Sequence, residues 1–322
     1  MRRWFIGVAL CAMTAAASGQ ELRELNFGII STESSQNLKQ DWKPILDSLA
    51  SRTGYKVNAF FASDYAGIIE GMRFNKVHVA WFGNKSAIEA VDRANGEVFA
   101  QMVNADGTQG YYSHLIVHKD SSLKSLDDVL ENGKNLSFSN GDRNSTSGFL
   151  VPSYYVFALN KADAKTLFKV VRNANHEANA LAVANKQVDV ATNNSENLQK
   201  LKERSPEKFA AIRVVWTSPL IPLDPLVMRK DLAEATKAKL RQFFYTYGQG
   251  GPQEKEALMK LSKLSGFQES SNRQLVPIRQ LELFRERTKL TADTAMPEAA
   301  KSAKLAELDR RLAELNAQLA QK

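Results

Sequence analysis

Short apolar runs alternate along this chain with stretches of helical period, and that alternation restricts the fold more than any other feature. LNFGII (residues 25–30) reads as a strand, and residues 38–52 as an amphipathic helix with Trp42, Ile45, Leu46 and Leu49 along one face. KVNAFF is the next strand and DYAGIIEGMRF the next helix, with Asp64 placed to cap it; VHVAWF and a helix over 86–94 follow. Strands separated by helices at this spacing predict βαβ units and a parallel sheet.

A second series begins after YYSHLIVHKD. SLKSLDDVL, GFLVPSYYVF, EANALAVANKQ and SENLQKLKER read as helices, and NLSFSN, FKVVRN, VDVATN and IRVVWTS as the strands between them. LVMRK then leads to helices over 233–248 and 253–264. The two series predict two α/β lobes joined by extended crossings near 110–118 and 218–227, with the first lobe completed by the chain after Pro225. The expected division is 25–113 plus 224–287 for lobe 1, 114–223 for lobe 2, and a helical tail over 288–322. In that tail Leu305, Leu308, Leu312, Leu315 and Leu319 recur at alternating spacings of 3 and 4. The stripe is short for a coiled coil, so a helix lying on its own domain and a partner helix that makes a homodimer both remain open.

The first residues have the pattern of an export signal: Arg2 and Arg3, a short apolar stretch from Trp4 to Met13, then small residues from Ala15 to Gly19. Residues 1–19 are therefore expected to be removed, with cleavage between Ala17 and Gln20, which places the mature chain in the periplasm. The single cysteine, Cys11, would leave with them, and with it any disulfide, thiol nucleophile or thiolate metal site. The net charge of +8 includes the two signal arginines, and basic and acidic residues alternate in 200–207 and 285–289 as on solvated helices. No basic stripe with interleaved aromatics is present, so a nucleic-acid partner is not expected.

The chemically loud segment is SFSNGDRNSTSGFLVPSYY, in which Ser145, Thr146 and Ser147 stand in a row between Gly141 and Gly148. A phosphate-binding P-loop needs a lysine just before its Ser or Thr, and a nucleophile elbow needs glycines two residues either side of its serine; neither pattern is met. A helix cap needs one hydroxyl, whereas three in succession at a helix start favour a site for a tetrahedral anion. NHEANA lacks the second histidine of a zinc helix, because Ala180 occupies that position, so no metal and no cofactor are expected. Taken singly, the remaining polar candidates have ordinary uses. His176 opens a helix, Glu196 suits a helix dipole, Asp224 lies among prolines where it can cap a turn, and Tyr65 and Tyr111 are packing residues.

Together the strings LNFGIISTESSQNLK, VNAFFASDYAGIIEGMRFNKV, GDRNSTSGFLVPSYYVFA, NALAVANKQVDVATNNSENL and SPLIPLDP closely resemble the periplasmic phosphonate-binding proteins of bacterial phosphonate import systems, the PhnD family. The likeness runs from about residue 25 to 284. It implies a two-lobe Venus-flytrap binding protein of type II, an α/β fold with mixed, mostly parallel sheets and a C-terminal helical tail. It also implies a protein without enzymatic activity, which captures an alkylphosphonate, typically 2-aminoethylphosphonate, and hands it to the permease and ATPase subunits of an ABC importer. By the same resemblance Tyr65, Tyr111, Ser145, Thr146, Ser147 and His176 would hold the phosphonate, and Glu196 and Asp224 its ammonium. Arg143 departs from the pattern, standing where a neutral residue such as proline is expected; it would add charge at the phosphonate end and loosen selectivity for the alkyl tail.

Elementary chemistry agrees with this assignment. Neutral donors and a helix terminus satisfy three phosphonate oxygens and still release them, as a transport receptor must. Two acids facing an anion site make sense only for a ligand that also carries a cation, and they would repel the fourth oxygen of inorganic phosphate. The rival receptors are those for phosphite, sulfonates or phosphate. A secreted hydrolase of phosphate or phosphonate esters would need a metal cluster or activated nucleophile that the sequence does not offer.

Overall fold

The computed structural model describes residues 23–320, and the expected signal segment with Cys11 lies outside them. The first lobe opens with β1 (Glu24–Ile29), α1 (Ser35–Thr53), β2 (Lys56–Phe61), α2 (Tyr65–Arg73), β3 (Val79–Trp81), α3 (Asn84–Arg93) and β4 (Gly96–Asn104). After the short β5 (Gly110–Tyr111) the chain builds β6 (Ser113–His118), α4 (Leu126–Asn132), β7 (Ser137–Asn140), α5 (Ala164–Leu167), β8 (Val170–Asn173) and α6 (His176–Ala184). It continues through β9 (Val190–Asn194), α7 (Ser195–Arg204), α8 (Pro206–Ala210) and β10 (Ile212–Thr217). It returns by β11 (Ile221–Pro222) to β12 (Pro225–Arg229), α9 (Glu234–Thr246), α10 (Pro252–Ser262) and β13 (Leu264–Glu269), then ends in α11 (Val276–Ala292) and α12 (Glu298–Ala320).

Two sheets carry the lobes, one six-stranded in the order β13-β4-β12-β3-β1-β2 and one five-stranded in the order β10-β6-β9-β7-β8. Parallel pairs form the centre of each βαβ series: Phe27 of β1 sits opposite both Ala59 of β2 and Val79 of β3, and Ser139 of β7 opposite both Arg172 of β8 and Ala191 of β9. The expectation of mostly parallel sheets is corrected by the other strands. β12 enters the first sheet from the far lobe and runs antiparallel to β3 and β4, and β6 runs antiparallel to β9 and β10. Two strands have no counterpart in the sequence pattern. β4 lies against β12 and β13, and β13 begins at Leu264, where the expected helix over 253–264 ends, after Lys263 turns the chain at φ 55°.

The two crossings between lobes bond to each other, Tyr111 opposite Ile221 and Gly110 opposite Pro222. A Cβ at Gly110 would lie 2.1 Å from the Ile221 carbonyl oxygen, so only glycine permits this close pairing of the hinge. Each lobe has its own apolar interior. Phe27, Trp42, Ile45, Phe243 and Phe244 centre the first, while Leu115, Phe138, Phe157 and Val190 pack on one face of the second sheet and Ile116, Val183 and Leu201 on the other. The middle of the α12 leucine stripe is covered within the chain, Leu308 and Leu312 packing on Leu283 of α11 and Arg287 bonding Asp309 at 2.7 Å, while Leu319 stays exposed. Among the described residues no helix is long and apolar enough to cross a membrane.

Candidate functional site

Between the lobes lies a cavity whose lining includes all eight residues singled out in the sequence: Tyr65, Tyr111, Ser145, Thr146, Ser147, His176, Glu196 and Asp224. The reason they meet is topological. Strands of both sheets deliver helices whose N-termini face the cleft: Tyr65 opens α2, Gly83 precedes α3, Ser145 precedes the helix after β7, His176 opens α6 and Asn194 precedes α7. Each terminus turns the positive end of a dipole toward the cleft, although several first-turn N–H groups are already bonded, among them Tyr65 N–H to Asp142 and Lys85 N–H to Thr146.

The hydroxyl triad lies on a tight loop. Gly141 donates its N–H to the Gly148 carbonyl at 2.9 Å, and a Cβ at Gly141 would fall 2.5 Å from the Gly148 Cα. The following helix is wound at π pitch over Thr146–Leu150, Leu150 N–H reaching the Ser145 carbonyl at 3.1 Å. Ser145 is the cap in the ordinary sense, its Oγ accepting from Gly148 N–H at 2.9 Å. The other two hydroxyls have different duties: Thr146 Oγ1 accepts from the Lys85 N–H of α3 at 2.9 Å, and Ser147 Oγ accepts from Asn194 Nδ2 at 3.1 Å. All three residues are buried.

Around them stand the longer donors. His176 is buried with Nε2 3.4 Å from Ser145 Oγ and 3.3 Å from Asn194 Nδ2, while its Nδ1 has no partner. Burial pushes its pKa down to about 4, so the imidazole is neutral near pH 7. Tyr65 and Tyr111 are held well above their ordinary pKa, first by burial and then by the neighbouring carboxylates, so both phenols keep their protons as hydrogen-bond donors. Tyr65 also donates its backbone N–H to Asp142 across the cleft at 3.1 Å, and Asp64 caps α2 as expected by accepting from Gly67 N–H at 2.9 Å.

The opposite side is acidic. Asp224 is buried, with Trp81 Nε1 donating to it at 3.1 Å and the Tyr111 hydroxyl at 3.3 Å. Its pKa is raised well above the ordinary carboxyl value, by burial first and by Glu196 second. Glu196, partly buried in the first turn of α7, accepts from Ser262 Oγ at 3.3 Å, and its pKa is likewise raised by burial although Lys200 opposes the shift. Among the described residues neither acid has an ion pair. Sequence reasoning missed Trp81, Gly83 and Asn194. The Asn194-Ser195-Glu196 start of α7 carried a capping signal for Asn194, whereas nothing local marks Trp81 as the donor to a residue 143 positions away. Arg143 is exposed on the loop and does not line the cavity. No group of three His, Cys, Asp or Glu able to hold a metal occurs among the described residues.

A family model described as the periplasmic substrate-binding protein of phosphonate ABC transporters matches residues 27–275. The chain belongs to that family. It is 57% identical over 304 residues to the phosphonates-binding periplasmic protein of Escherichia coli K12, covering 94% of this chain and 89% of the relative. A crystal structure of the binding protein component of a phosphonate ABC transporter from Pseudomonas aeruginosa superposes with a TM-score of 0.91 at 55% identity, over 93% of this chain and 99% of that one. A Prochlorococcus marinus binding protein in complex with methylphosphonate shares the fold, with a TM-score of 0.72 at 22% identity over 80% of this chain and 97% of that one. The expected fold class, a two-lobe type II periplasmic binding protein with a C-terminal helix, is the observed one, and members of the family serve import as substrate receptors.

Proposed function

We propose that this protein captures an aminoalkylphosphonate, 2-aminoethylphosphonate foremost, between its lobes and delivers it to the permease and ATPase of an ABC importer. The observation that carries the proposal is the pair Glu196 and Asp224, two acids on one cavity that form no ion pair among the described residues and face a cluster of neutral donors and helix N-termini. Lys200 of the same lining is bonded to Glu33 and Asp41. The neutral end fits three phosphonate oxygens: Tyr65, Tyr111, Ser145, Thr146, Ser147 and His176 offer hydroxyls and an imidazole. The acidic end fits an ammonium, each charge-assisted bond contributing about 1.5–3 kcal/mol. A phosphate ion would turn an oxygen toward those acids, and a sulfonate or phosphite brings them no cation. In this reading residues 25–113 with 224–287 and residues 114–223 are the lobes that close, and residues 1–19 are removed on export. Because α12 spends Leu308 and Leu312 on its own chain, a homodimer through that helix would need another of its faces.

A thermal-shift panel tests the proposal. The melting temperature is expected to rise most with 2-aminoethylphosphonate, less with ethylphosphonate and methylphosphonate, and least with phosphite, phosphate and ethanesulfonate. A larger rise with phosphate than with 2-aminoethylphosphonate would overturn it.

A further inference from the structure

The face of α7 that carries Glu196 continues one and two turns further on with Lys200 and Arg204. These two cations leave their own lobe and meet two acids of the other, Glu33 in the β1–α1 loop and Asp41 in α1. Lys200 Nζ lies 3.2 Å from Glu33 and 3.0 Å from Asp41. Arg204 bonds both Asp41 oxygens at 2.6 Å and also pairs with Glu33. The acids are almost wholly covered, with side-chain exposures of 4% and 7%, and among the described residues neither is ion-paired within its own lobe. A second cross-cleft contact stands beside this quartet: Glu177, in the first turn of α6, accepts from the Ser34 N–H at 2.6 Å and from Asn37 Nδ2 at 2.7 Å.

We infer that Glu33, Asp41, Lys200 and Arg204 form an ionic clasp that assembles only when the lobes close, and that it holds the captured ligand without reading the ligand's organic group. The four charges sum to zero, so the closed cleft buries them as two complementary pairs. In the open form each acid and each cation faces water separately. The free energy of the quartet therefore belongs to closure and multiplies the affinity of every ligand by one common factor. Selection is left to Glu196 and the residues of the phosphonate end, and α7 joins the two functions on one rigid face: Glu196 at the cavity, Lys200 on the cavity wall with its ammonium bonded to Glu33 and Asp41, and Arg204 beyond. Lys200 and Arg204 are thus positioning residues for the closed state. The inference rests on the two-lobe closing motion and holds for any anion that drives it.

The test is a charge swap read by calorimetry with 2-aminoethylphosphonate and with ethylphosphonate. Arg204→Asp is expected to weaken both ligands by the same factor, at least about tenfold, because it sets a third carboxylate against two buried acids that Lys200 alone then neutralises. The double variant Asp41→Arg/Arg204→Asp restores an opposite-charge pair and zero net charge across the cleft and should recover part of the loss, because Lys200 and Glu33 then each face one like charge. Arg204→Gln, which adds no charge, is the second variant should the first melt early, and it should lose affinity in the same ratio for both ligands. Unequal losses for the two ligands, no loss, or a swapped pair no better than the single variant would each overturn the clasp. If the wild type binds neither phosphonate, the phosphonate reading fails, and the same swap is measured with whichever of phosphite, phosphate or ethanesulfonate binds. An equal-factor loss and recovery there sustain the clasp alone.

Discussion

The two ends of the cavity are built on opposite principles. At the hydroxyl end each member of the triad already has a protein partner: Gly148 N–H on Ser145, Lys85 N–H on Thr146 and Asn194 on Ser147. Those bonds fix the oxygens in place and leave their protons free to turn toward a ligand, so the site is organised before anything arrives. At the acid end Asp224 and Glu196 have hydrogen bonds but no ion pair among the described residues, although Lys200 acts on Glu196, and burial together with mutual repulsion pushes the Asp224 carboxyl well above its ordinary range. The three hydroxyls are bonded within the protein, and the two carboxyl groups are without an ion pair. Under the proposed function, affinity for any phosphonate would be the business of the first end, and preference among phosphonates the business of the second.

Breaking the organised end should have the largest effect. Gly141→Ala would drive a Cβ into the Gly148 backbone, where no side chain can yield, and lift the triad off the cavity. Calorimetry should then show a loss of about 3 kcal/mol or more for 2-aminoethylphosphonate and ethylphosphonate alike. A loss confined to the amino ligand would contradict the division between the ends.

Acid sharpens the comparison through His176. Its pKa in the folded protein lies below its ordinary 6.5, at about 4, so its contribution to stability is present above pH 6.5 and is lost as pH falls from 6.5 through 4. That difference amounts to about 3 kcal/mol at its fullest. Melting of the ligand-free protein across this window should fall more steeply for wild type than for His176→Asn. A saturating phosphonate, by placing an anion beside the ring, should flatten the wild-type slope. Parallel slopes for the two proteins would remove the imidazole from this account.

Thr146→Val is a smaller cut at the same end. It keeps the shape, deletes one donor to the ligand and leaves the Lys85 N–H of α3 without its acceptor. Binding should weaken by about 2 kcal/mol, roughly 30-fold, for both ligands. An unchanged dissociation constant would show that this hydroxyl serves only α3.

Much of this architecture is legible in the amino-acid sequence itself. The alternation around Phe27, Val57 and Val79 specifies strands and helices because βαβ units impose two periods in turn, and Asp64 marks the start of α2 by capping it. β13 is hidden because LSGFQE holds a glycine and follows a helix without a break in polarity; the stop comes from Lys263 in a left-handed conformation, which its side chain does not advertise. The mixed character of the sheets is equally out of reach, since strand direction for β12 depends on which lobe the chain returns from. At the site, a run of hydroxyls announces itself locally. Asp224 draws its meaning from Trp81 and Tyr111, at sequence separations of 143 and 113, so taken singly these residues look ordinary and only the family likeness joins them.

The most direct measurement sets the acid end against the choice of ligand. Glu196→Gln and Asp224→Asn each keep size and remove one negative charge, and calorimetry with each variant compares 2-aminoethylphosphonate with ethylphosphonate. The account predicts that the amino ligand weakens by about 1.5–3 kcal/mol per site, because a charge-assisted bond is lost. It predicts that ethylphosphonate holds its affinity or gains, since the neutral side chain no longer places an unpaired charge beside its tail. Equal weakening of both ligands would mean that the two acids only hold the fold, and the ammonium subsite would then be wrong.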